Sequence, residues 1–399
     1  MARSTLFIVF ILTMLLGLQP ITTDLYLPAL PLITASFDAP IALSQMTLSA
    51  LLLSFGVSQL VWGPLSDYYG RRPILLIGLA LYTFSAITSS LATSIEWLIF
   101  WRVVQGVAMG AAIMCARALV RDLFDNPVQA ARTMSQGLSG LGVVACLATP
   151  IGGLITVWFG WRAIFLFLAI VSAFSMAVIF WRLDETLRSP RTESLKPARL
   201  WTTWRSILSH HTFWSYALLQ TATFGGLFIF LASSSFVFIQ YLGLSSPVYG
   251  LIMFSMSASY IAGTLLCRRL LLAFSIQKTV VIGGIFAIVG SSLMVLFAAL
   301  GWQSVAAIML PYYLYMVSHG INQPCAQSGV MGPFPRSAGA ASALSSLVMV
   351  IGAFVIGQWL GRAMDGSTLP MALGVWFCGL AVAATGWGLA ARVKLPEAA

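Results

Sequence analysis

Long apolar stretches, separated by short breaks of polar residues, glycine and proline, run through the whole chain. A stretch of about 20 apolar residues is long enough to cross a bilayer as an α-helix. Span 1 continues without a small-residue cleavage site, so we interpret it as a retained helix and not as a secretion signal. The pattern predicts twelve spans, numbered 1 to 12: 5–33, 43–66, 73–92, 96–118, 133–155, 161–183, 212–240, 247–270, 277–299, 303–329, 338–360 and 370–391.

One long polar segment interrupts this pattern and divides the spans six and six. We therefore expect an N-terminal half at 1–183, a linker at 184–211 and a C-terminal half at 212–399. The predicted fold class is an all-α polytopic membrane protein made of two six-helix halves.

The composition excludes an ordinary soluble domain, because only 8% of the residues are charged, whereas soluble domains carry about 25%. A net charge of +10 could indicate nucleic-acid binding, but its distribution does not. With the N-terminus inside, all but three of the 21 Lys and Arg fall on or next to the cytoplasmic side; the exceptions are Arg102, Arg162 and Arg362. This bias predicts cytoplasmic termini and a cytoplasmic linker, with the lipid bilayer and not nucleic acid as the partner.

Asp24 is the one carboxylate that the predicted spans place deep in the membrane; the other ten acidic residues fit in loops or at helix ends. A charged side chain at the bilayer centre costs about 2.5–3.5 kcal/mol on insertion scales, so an acidic residue there usually has a functional role. In a polytopic protein the usual roles are carrying a proton and holding a cation. Asp24 is therefore the first candidate site residue.

The string GPLSDYYGRRP lies where a cytoplasmic loop is predicted to join spans 2 and 3. Its glycines allow close helix approach and a tight turn, its aspartate can meet a helix N-terminus or an arginine, and its arginines hold the loop inside. The string resembles the loop motif of the major facilitator superfamily, in which it latches the outward-open state; a purely topological anchor is the alternative. The candidate latch residues are Gly63, Asp67, Gly70, Arg71 and Arg72.

The string RVVQGVAMGAA at 102–112 resembles the motif in the fourth helix of that family. Arg102 lies in the outer half of span 4, where an uncompensated guanidinium is costly. The resemblance implies that Arg102 faces inward and influences protonation of Asp24, by direct or water-bridged contact. The alternative is that Arg102 reaches outward to the membrane surface.

Span 5 combines small residues, at spacings that let helices approach closely, with a proline that bends it. The pattern resembles the fifth-helix motif of the drug:proton antiporter branch, which separates exporters from symporters. Thr149 departs from it, because the family usually has glycine before the proline; generic glycine-rich packing is the alternative. The motif residues are Gly142, Pro150 and Gly153.

Three further strings, at 23–31, 116–122 and 338–344, resemble the Bcr/CflA subfamily, which includes bicyclomycin, chloramphenicol and florfenicol exporters. The resemblance covers essentially the whole chain. It implies that Asp24 takes part in proton coupling and substrate binding, and that the protein works as a monomer. It also implies that the protein lies in the bacterial inner membrane and that the proton gradient drives transport without a cofactor.

The resemblance places spans 1, 4, 7 and 10 around a central substrate cavity. Span 10 carries polar and aromatic residues on one helical face, which is hard to explain on a lipid-facing surface. An interfacial position for Tyr312 and packing roles for His319, Phe224 and Phe228 are the alternatives. An aromatic, lightly charged cavity suits amphiphilic neutral or monocationic drugs better than sugars. The candidate cavity residues are Gln19, Asp24, Tyr26, Gln220, Phe224, Phe228, Tyr312, Tyr315, His319 and Asn322.

Neither a catalytic nor a metal site is expected. The chain has no paired-carboxylate or Ser/His/Asp arrangement, and no G-x-x-x-x-G-K-[ST] phosphate loop. The five cysteines lack metal-ligand or redox spacing, so we expect them to be small packing residues. The resemblance therefore implies a proton-coupled drug exporter. A metabolite exporter on the same fold is the alternative, and the span 5 pattern argues against an uptake symporter.

Overall fold

In a computed structural model, the described residues are 5–124, 127–187, 197–334 and 337–390, and their regular structure is helical throughout. Both termini, which are predicted to be cytoplasmic, and residues 188–196 of the predicted linker lie outside the described residues. The helices are α1 Thr5–Asp24, α2 Leu30–Ser36, α3 Ile41–Tyr69, α4 Arg71–Ser90, α5 Ile95–Leu123, α6 Pro127–Phe159, α7 Trp161–Arg182, α8 Pro197–Leu208, α9 His211–Ser235, α10 Ser246–Ala273, α11 Ile276–Ala299, α12 Val305–Met331, α13 Ala338–Ala363 and α14 Leu369–Ala383. Single π-helical segments continue α9 to Tyr241 and α14 to Leu389.

Eleven helical segments among the described residues are long and apolar enough to cross a membrane. They coincide with the predicted spans except span 10, which corresponds to α12. That helix is long enough, at 27 residues, but it is less apolar because tyrosines, glutamines, a histidine and an asparagine lie along it. Membrane crossing by α12 stays a prediction.

Span 1 is not one continuous helix, contrary to the prediction. The α-helix ends at Asp24, a 3-10 turn follows at Leu27–Ala29, and α2 then begins at Leu30. Proline has no N–H to donate, so Pro28 cannot bond the carbonyl of Asp24 as a helix would require. The chain therefore breaks its first span directly after its membrane carboxylate.

The predicted polar linker contains a helix that the apolar pattern did not reveal. This helix, α8, has Ile207 buried, whereas its Trp201 is 64% exposed. A short helix with one buried face has too few consecutive apolar residues for the apolar pattern to predict a membrane span.

Two compact units divide the chain: unit 1 is Met1–Leu200 with Ser246–Leu251, and unit 2 is Trp201–Ser245 with Ile252–Ala399. In unit 1, α1 packs on α6, and α4 packs on both α5 and α7. In unit 2, α9 packs on α13, and α11 packs on both α12 and α14. The same packing plan therefore recurs in both units, as expected for duplicated six-helix halves. The predicted domain boundaries stay predictions.

Glycines make the tightest connections in unit 1. Gly70, with φ +104°, is the single residue between α3 and α4, and Gly160, with φ +78°, is the single residue between α6 and α7. Side chains are disfavoured in this left-handed region, so glycine is the natural residue at both reversals.

Candidate functional site

Asp24 is the last residue of α1 and is partly exposed. Its Oδ1 accepts a hydrogen bond of 2.7 Å from the Thr23 hydroxyl. The last carbonyls of any helix have no intrahelical donor and attract positive charge. The break thus places the carboxylate at a helix end that favours a cation or a proton nearby.

Arg102 is completely buried on α5, and its guanidinium connects three helices. Nη2 donates to the carbonyl of Thr22 on α1 at 3.2 Å, and Nε donates to the carbonyl of Thr47 on α3 at 3.4 Å. Nη1 donates to Gln105 on its own helix at 2.8 Å. Arg102 therefore satisfies one of the free carbonyls at the end of α1.

Aromatic and hydroxyl groups enclose this guanidinium. Its Cζ lies 4.3 Å from the ring centroid of Tyr26, a cation–π contact that stabilises a buried charge. The Tyr26 hydroxyl in turn shares a 2.7 Å hydrogen bond with Thr47, and Tyr82 shares one of 2.5 Å with Thr22. The segment around the α1 break is thus held on several sides.

Arg102 contacts Thr22, two residues before Asp24, but it does not form an ion pair with Asp24. Among the residues that the structure describes, no salt bridge joins the two side chains. Arg102 does not reach outward either, because its side chain is 0% exposed. The Arg102 contact nearest to Asp24 in the sequence is the hydrogen bond to the Thr22 carbonyl, two residues before the carboxylate.

The loop between α3 and α4 is built around Arg71, which is 2% exposed. Its guanidinium pairs with Asp67 at 2.5 Å and with Asp122 of α5 at 2.8 Å, and it donates to Ser66 at 2.7 Å. Two carboxylates and one hydroxyl therefore bind a single arginine and fix the end of α5 to this loop.

Glu185, just after α7, caps the start of α4. Its carboxylate accepts from the backbone N–H of Arg71 at 2.9 Å and of Arg72 at 3.1 Å. The same residue lies so close to Gly70 that a side chain there would collide with the carboxylate. The first N–H groups of a helix favour an anion. Of the two partners expected for Asp67, a helix N-terminus or an arginine, Asp67 meets the arginine Arg71, and Glu185 caps the helix.

Asp122 and Glu185 were missed as site residues by sequence reasoning. Asp122 stands at the end of one string that resembles the Bcr/CflA subfamily, whereas Glu185 was assigned to the linker. An acidic residue at the end of a span was the available signal.

Gly63, the first residue of the predicted latch, lies where α3 approaches α5. A Cβ at Gly63 would lie 3.2 Å from the Met114 Cε, so the contact is tight but meets only the flexible end of a side chain. The latch role of the loop stays a prediction.

The glycines of α6 differ in what they contact. Gly142 has no neighbouring atom within 4 Å of the position that a Cβ would occupy. At Gly152 that position collides with the carbonyl oxygen of Leu25, directly after Asp24, and at Gly153 it lies 2.5 Å from the carbonyl of Ser246. Pro150 lies inside the helix, about one turn before Gly153. The close approach of α6 to the α1 break thus depends on Gly152, which the motif residues did not include.

In unit 2, α12 carries the predicted polar and aromatic face, here called the stripe, which consists of Tyr312, Tyr315, His319 and Asn322. This stripe packs inward. Tyr312 stacks on Phe230 of α9 with ring centroids 3.6 Å apart, and the Tyr315 hydroxyl donates to carbonyls of Ala222 and Thr223 at 3.3 Å. Both tyrosines are 0% exposed. They join α12 to α9.

The second half of the stripe is divided between two neighbours. His319 Nδ1 lies 3.2 Å from the Thr223 hydroxyl of α9. Asn322 donates to Ser318 at 3.1 Å and presses against Gly283 of α11, where a Cβ would lie 2.5 Å from its Oδ1. The four stripe residues therefore share a helix face in the sequence but contact different helices.

Gln220 of α9 begins a chain of side-chain amides. It donates to Gln327 of α12 at 3.0 Å, and Gln327 donates to Ser342 of α13 at 2.8 Å.

Of the ten candidate cavity residues, the partly exposed ones are Gln19, Asp24 and Phe224, and the buried ones are Tyr26, Gln220, Phe228, Tyr312, Tyr315, His319 and Asn322. Their role in a cavity stays a prediction.

A sequence model described as Major Facilitator Superfamily matches residues 6–357. The chain belongs to this superfamily. The resemblance found in its motifs is therefore confirmed, and the protein is a multi-pass membrane transporter and not a member of an enzyme family.

Three similar proteins have names that refer to drug resistance. Multidrug resistance protein D of Escherichia coli (strain K12) is 30% identical over 354 residues, which are 88% of this chain and 87% of that protein. A chloramphenicol resistance protein of Pseudomonas aeruginosa is 26% identical over 323 residues, 80% of this chain and 75% of that protein. A bicyclomycin resistance protein homolog of Haemophilus influenzae is 31% identical over 252 residues, 62% of each chain.

Solved structures agree on the fold. The partially occluded inward open form of the xylose transporter XylE from E. coli superposes with a TM-score of 0.77 at 13% identity, over 98% of this chain and 100% of that chain. A bacterial homolog of the human lysosomal transporter Spinster superposes with a TM-score of 0.70 at 14% identity, over 98% of this chain and 95% of that one. At such identities the likeness shows the fold alone.

Proposed function

We propose that this transporter exports amphiphilic drugs from the bacterial cytoplasm in exchange for protons, by alternating access across the inner membrane. The observation that carries the proposal is the position of Asp24, a partly exposed carboxylate at the broken end of the first span. An ionisable group inside a span marks proton or substrate pathways in most transporters. The relatives named for multidrug, chloramphenicol and bicyclomycin resistance support drugs as the substrate class.

The cycle uses the two charge states of Asp24. The deprotonated carboxylate favours drug binding from the cytoplasm; a proton arriving from outside neutralises it, weakens drug binding and favours return to the inward-facing state. One charge moved across the membrane contributes about 2.3 kcal/mol per 100 mV. This is enough to bias the cycle toward export without a cofactor.

Arg102 positions the site in this proposal. Its guanidinium holds the Thr22 carbonyl at 3.2 Å, so a shift of α5 is transmitted to the α1 end and to the carboxylate two residues further on. Rigid contacts of this kind couple a conformational change to a local electrostatic one.

The substrate is expected to be neutral, zwitterionic or monocationic. Within the described residues, Asp24 is the acidic side chain that lies inside a membrane segment away from its polar ends, so a second positive charge on the drug finds no counter-ion.

We further propose that α12 completes twelve spans, that both termini are cytoplasmic, that the Arg71 loop acts as the conformational latch and that the transporter is a monomer.

The test is substrate-induced proton release in everted vesicles, with wild type beside Asp24→Asn. The panel holds a phenicol, bicyclomycin and a lipophilic cation. We expect at least one compound to evoke proton flux in wild type and none to do so in Asp24→Asn, because the amide keeps the shape but cannot exchange a proton.

The matched control is Asp365→Asn, the same change at an exposed loop position, which should leave the flux unchanged. Undiminished flux in a folded Asp24→Asn protein would remove Asp24 from the mechanism. Silence of the wild type across the whole panel would contradict drug export and favour a metabolite as the substrate.

A further inference from the structure

Two cysteines that are 58 positions apart in the sequence meet inside unit 2. Cys267 lies on α10 and Cys325 on α12, with their sulfur atoms 3.7 Å apart. Each side chain is 2% exposed. The two cysteines lack redox spacing in the sequence, yet they are neighbours in the folded protein. Our assignment of these two residues to simple packing is therefore incomplete.

The backbones of the two helices approach closely just before the thiols. A Cβ at Gly263 of α10 would lie 2.5 Å from the carbonyl oxygen of Val317, and one at Gly320 of α12 would lie 2.6 Å from the carbonyl oxygen of Tyr260. Small residues at such positions allow tight helix contacts in membranes. The helices are thus held together, and the sulfurs can reach the bonding distance of about 2.05 Å chiefly by side-chain rotation.

The thiols lie beside a turn of α12 that lacks one backbone hydrogen bond. Pro324 stands inside the helix directly before Cys325, and it cannot donate to the carbonyl of Gly320. Sharp helix bends usually occur at proline. The Cys267 thiol donates to the carbonyl of Ile321 at 3.5 Å, in the same weakened turn. A covalent bond here would fasten this turn of α12 to α10.

A metal ion suits the pair less well than a disulfide. Within the part of the chain that the structure describes, no group of three His, Cys, Asp or Glu residues is arranged to hold a metal ion. Two sulfurs leave a structural zinc site half filled, because such sites almost always have four protein ligands.

We propose that Cys267 and Cys325 are a redox-sensitive pair that hydroperoxides oxidise to a disulfide between α10 and α12, and that this bond slows transport reversibly by fixing the Pro324 turn of α12 to α10. One thiolate attacks the peroxide oxygen, giving a sulfenic acid and releasing water or an alcohol. The second thiol then displaces the sulfenic oxygen as water and forms the S–S bond. The two thiols lose two electrons and two protons, which the peroxide takes up.

The chemical part is tested on the wild-type protein in lipid, without any variant. After treatment with hydrogen peroxide, free thiols are alkylated and the digest is analysed by mass spectrometry. We expect a linked peptide that contains Cys267 and Cys325, lighter by two hydrogen atoms than its parts, and lost on treatment with dithiothreitol. Oxidation of the partly exposed Cys146 without that linked peptide would overturn the proposal.

The regulatory part rests on the proposed function and uses its vesicle assay. Peroxide should lower the initial export rate of wild type by a factor on the order of ten, the usual size of a conformational coupling, and dithiothreitol should restore it. Cys267→Ser should keep its rate in peroxide, whereas the control Cys378→Ser should respond like wild type.

An equal loss of rate in wild type and Cys267→Ser, or a linked protein that transports at full rate, would overturn the regulatory role. A failure of the proposed function is visible separately, because the untreated wild type would then export no compound of the panel. The linked peptide would still be detected in that case.

Discussion

At the residue scale, Arg102 shows how a costly side chain is accommodated. An arginine in an apolar span is tolerated only where its charge and its donors find partners. Here the partners are backbone carbonyls of Thr22 and Thr47, the side chain of Gln105 and the ring of Tyr26. The sequence predicted an inward-facing arginine near Asp24, but not that the contact is made to the backbone.

This geometry predicts that Arg102→Lys fails to replace the arginine. A lysine ammonium lacks the planar fork that reaches several acceptors at once. We expect Arg102→Lys to lower export by about tenfold or more, the effect of losing about 1.4 kcal/mol of a specific interaction, and to change its pH profile. Transport assayed across a pH series in vesicles measures both.

Arg162→Lys is the matched control, because Arg162 is exposed and donates to the carbonyl of Ala92 at 3.2 Å. It should transport like wild type. An Arg102→Lys protein with an unchanged rate and pH profile would show that any buried cation suffices.

At the element scale, helix contacts depend on which glycine meets a backbone. The motif predicted for α6 includes Gly142, yet the Cβ position of Gly142 is open whereas that of Gly152 collides with Leu25. Periodicity places both on the same helix. It does not say which of them faces a neighbour.

Gly152→Ala should therefore destabilise the protein by about 1–3 kcal/mol, the usual cost of forcing a methyl group into a packed contact. Gly142→Ala should be neutral or slightly stabilising, because alanine is the better helix former. Thermal unfolding of the two detergent-solubilised variants beside wild type measures the difference. Equal melting temperatures would contradict the packing of α6 on the α1 break.

The capping of α4 belongs to the same scale. Glu185 bonds the N–H groups of Arg71 and Arg72, so the second residue of the predicted linker is structurally part of the loop motif. A local sequence window cannot show this, because the residues that meet are 114 positions apart.

At the scale of the whole molecule, the number of spans decides the topology. An even number puts both termini on one side of the membrane, and an odd number puts them on opposite sides. Eleven described segments qualify by length and hydropathy, so α12 is the deciding helix. Its reduced hydropathy comes from buried groups, such as Tyr312 and Asn322, that find partners inside unit 2.

We expect a green fluorescent protein fused after residue 399 to fluoresce and an alkaline phosphatase fused there to be inactive, as for a cytoplasmic terminus. A phosphatase inserted at Gly366, between α13 and α14, should be active. The opposite pattern at the two positions would mean that α12 does not cross.

Local hydropathy, charge and contiguous motifs were enough to establish the helical class, the positions of eleven spans and the superfamily. They also singled out Asp24 as the carboxylate inside a membrane span. Packing was needed to reveal how the break after Asp24 is held, the carbonyl contacts of Arg102, the cap by Glu185 and the meeting of Cys267 with Cys325. The difference lies in the range of the interactions. Hydropathy acts on each segment alone, whereas hydrogen bonds, caps and thiol pairs join residues that are distant in the chain and come together only when the helices pack.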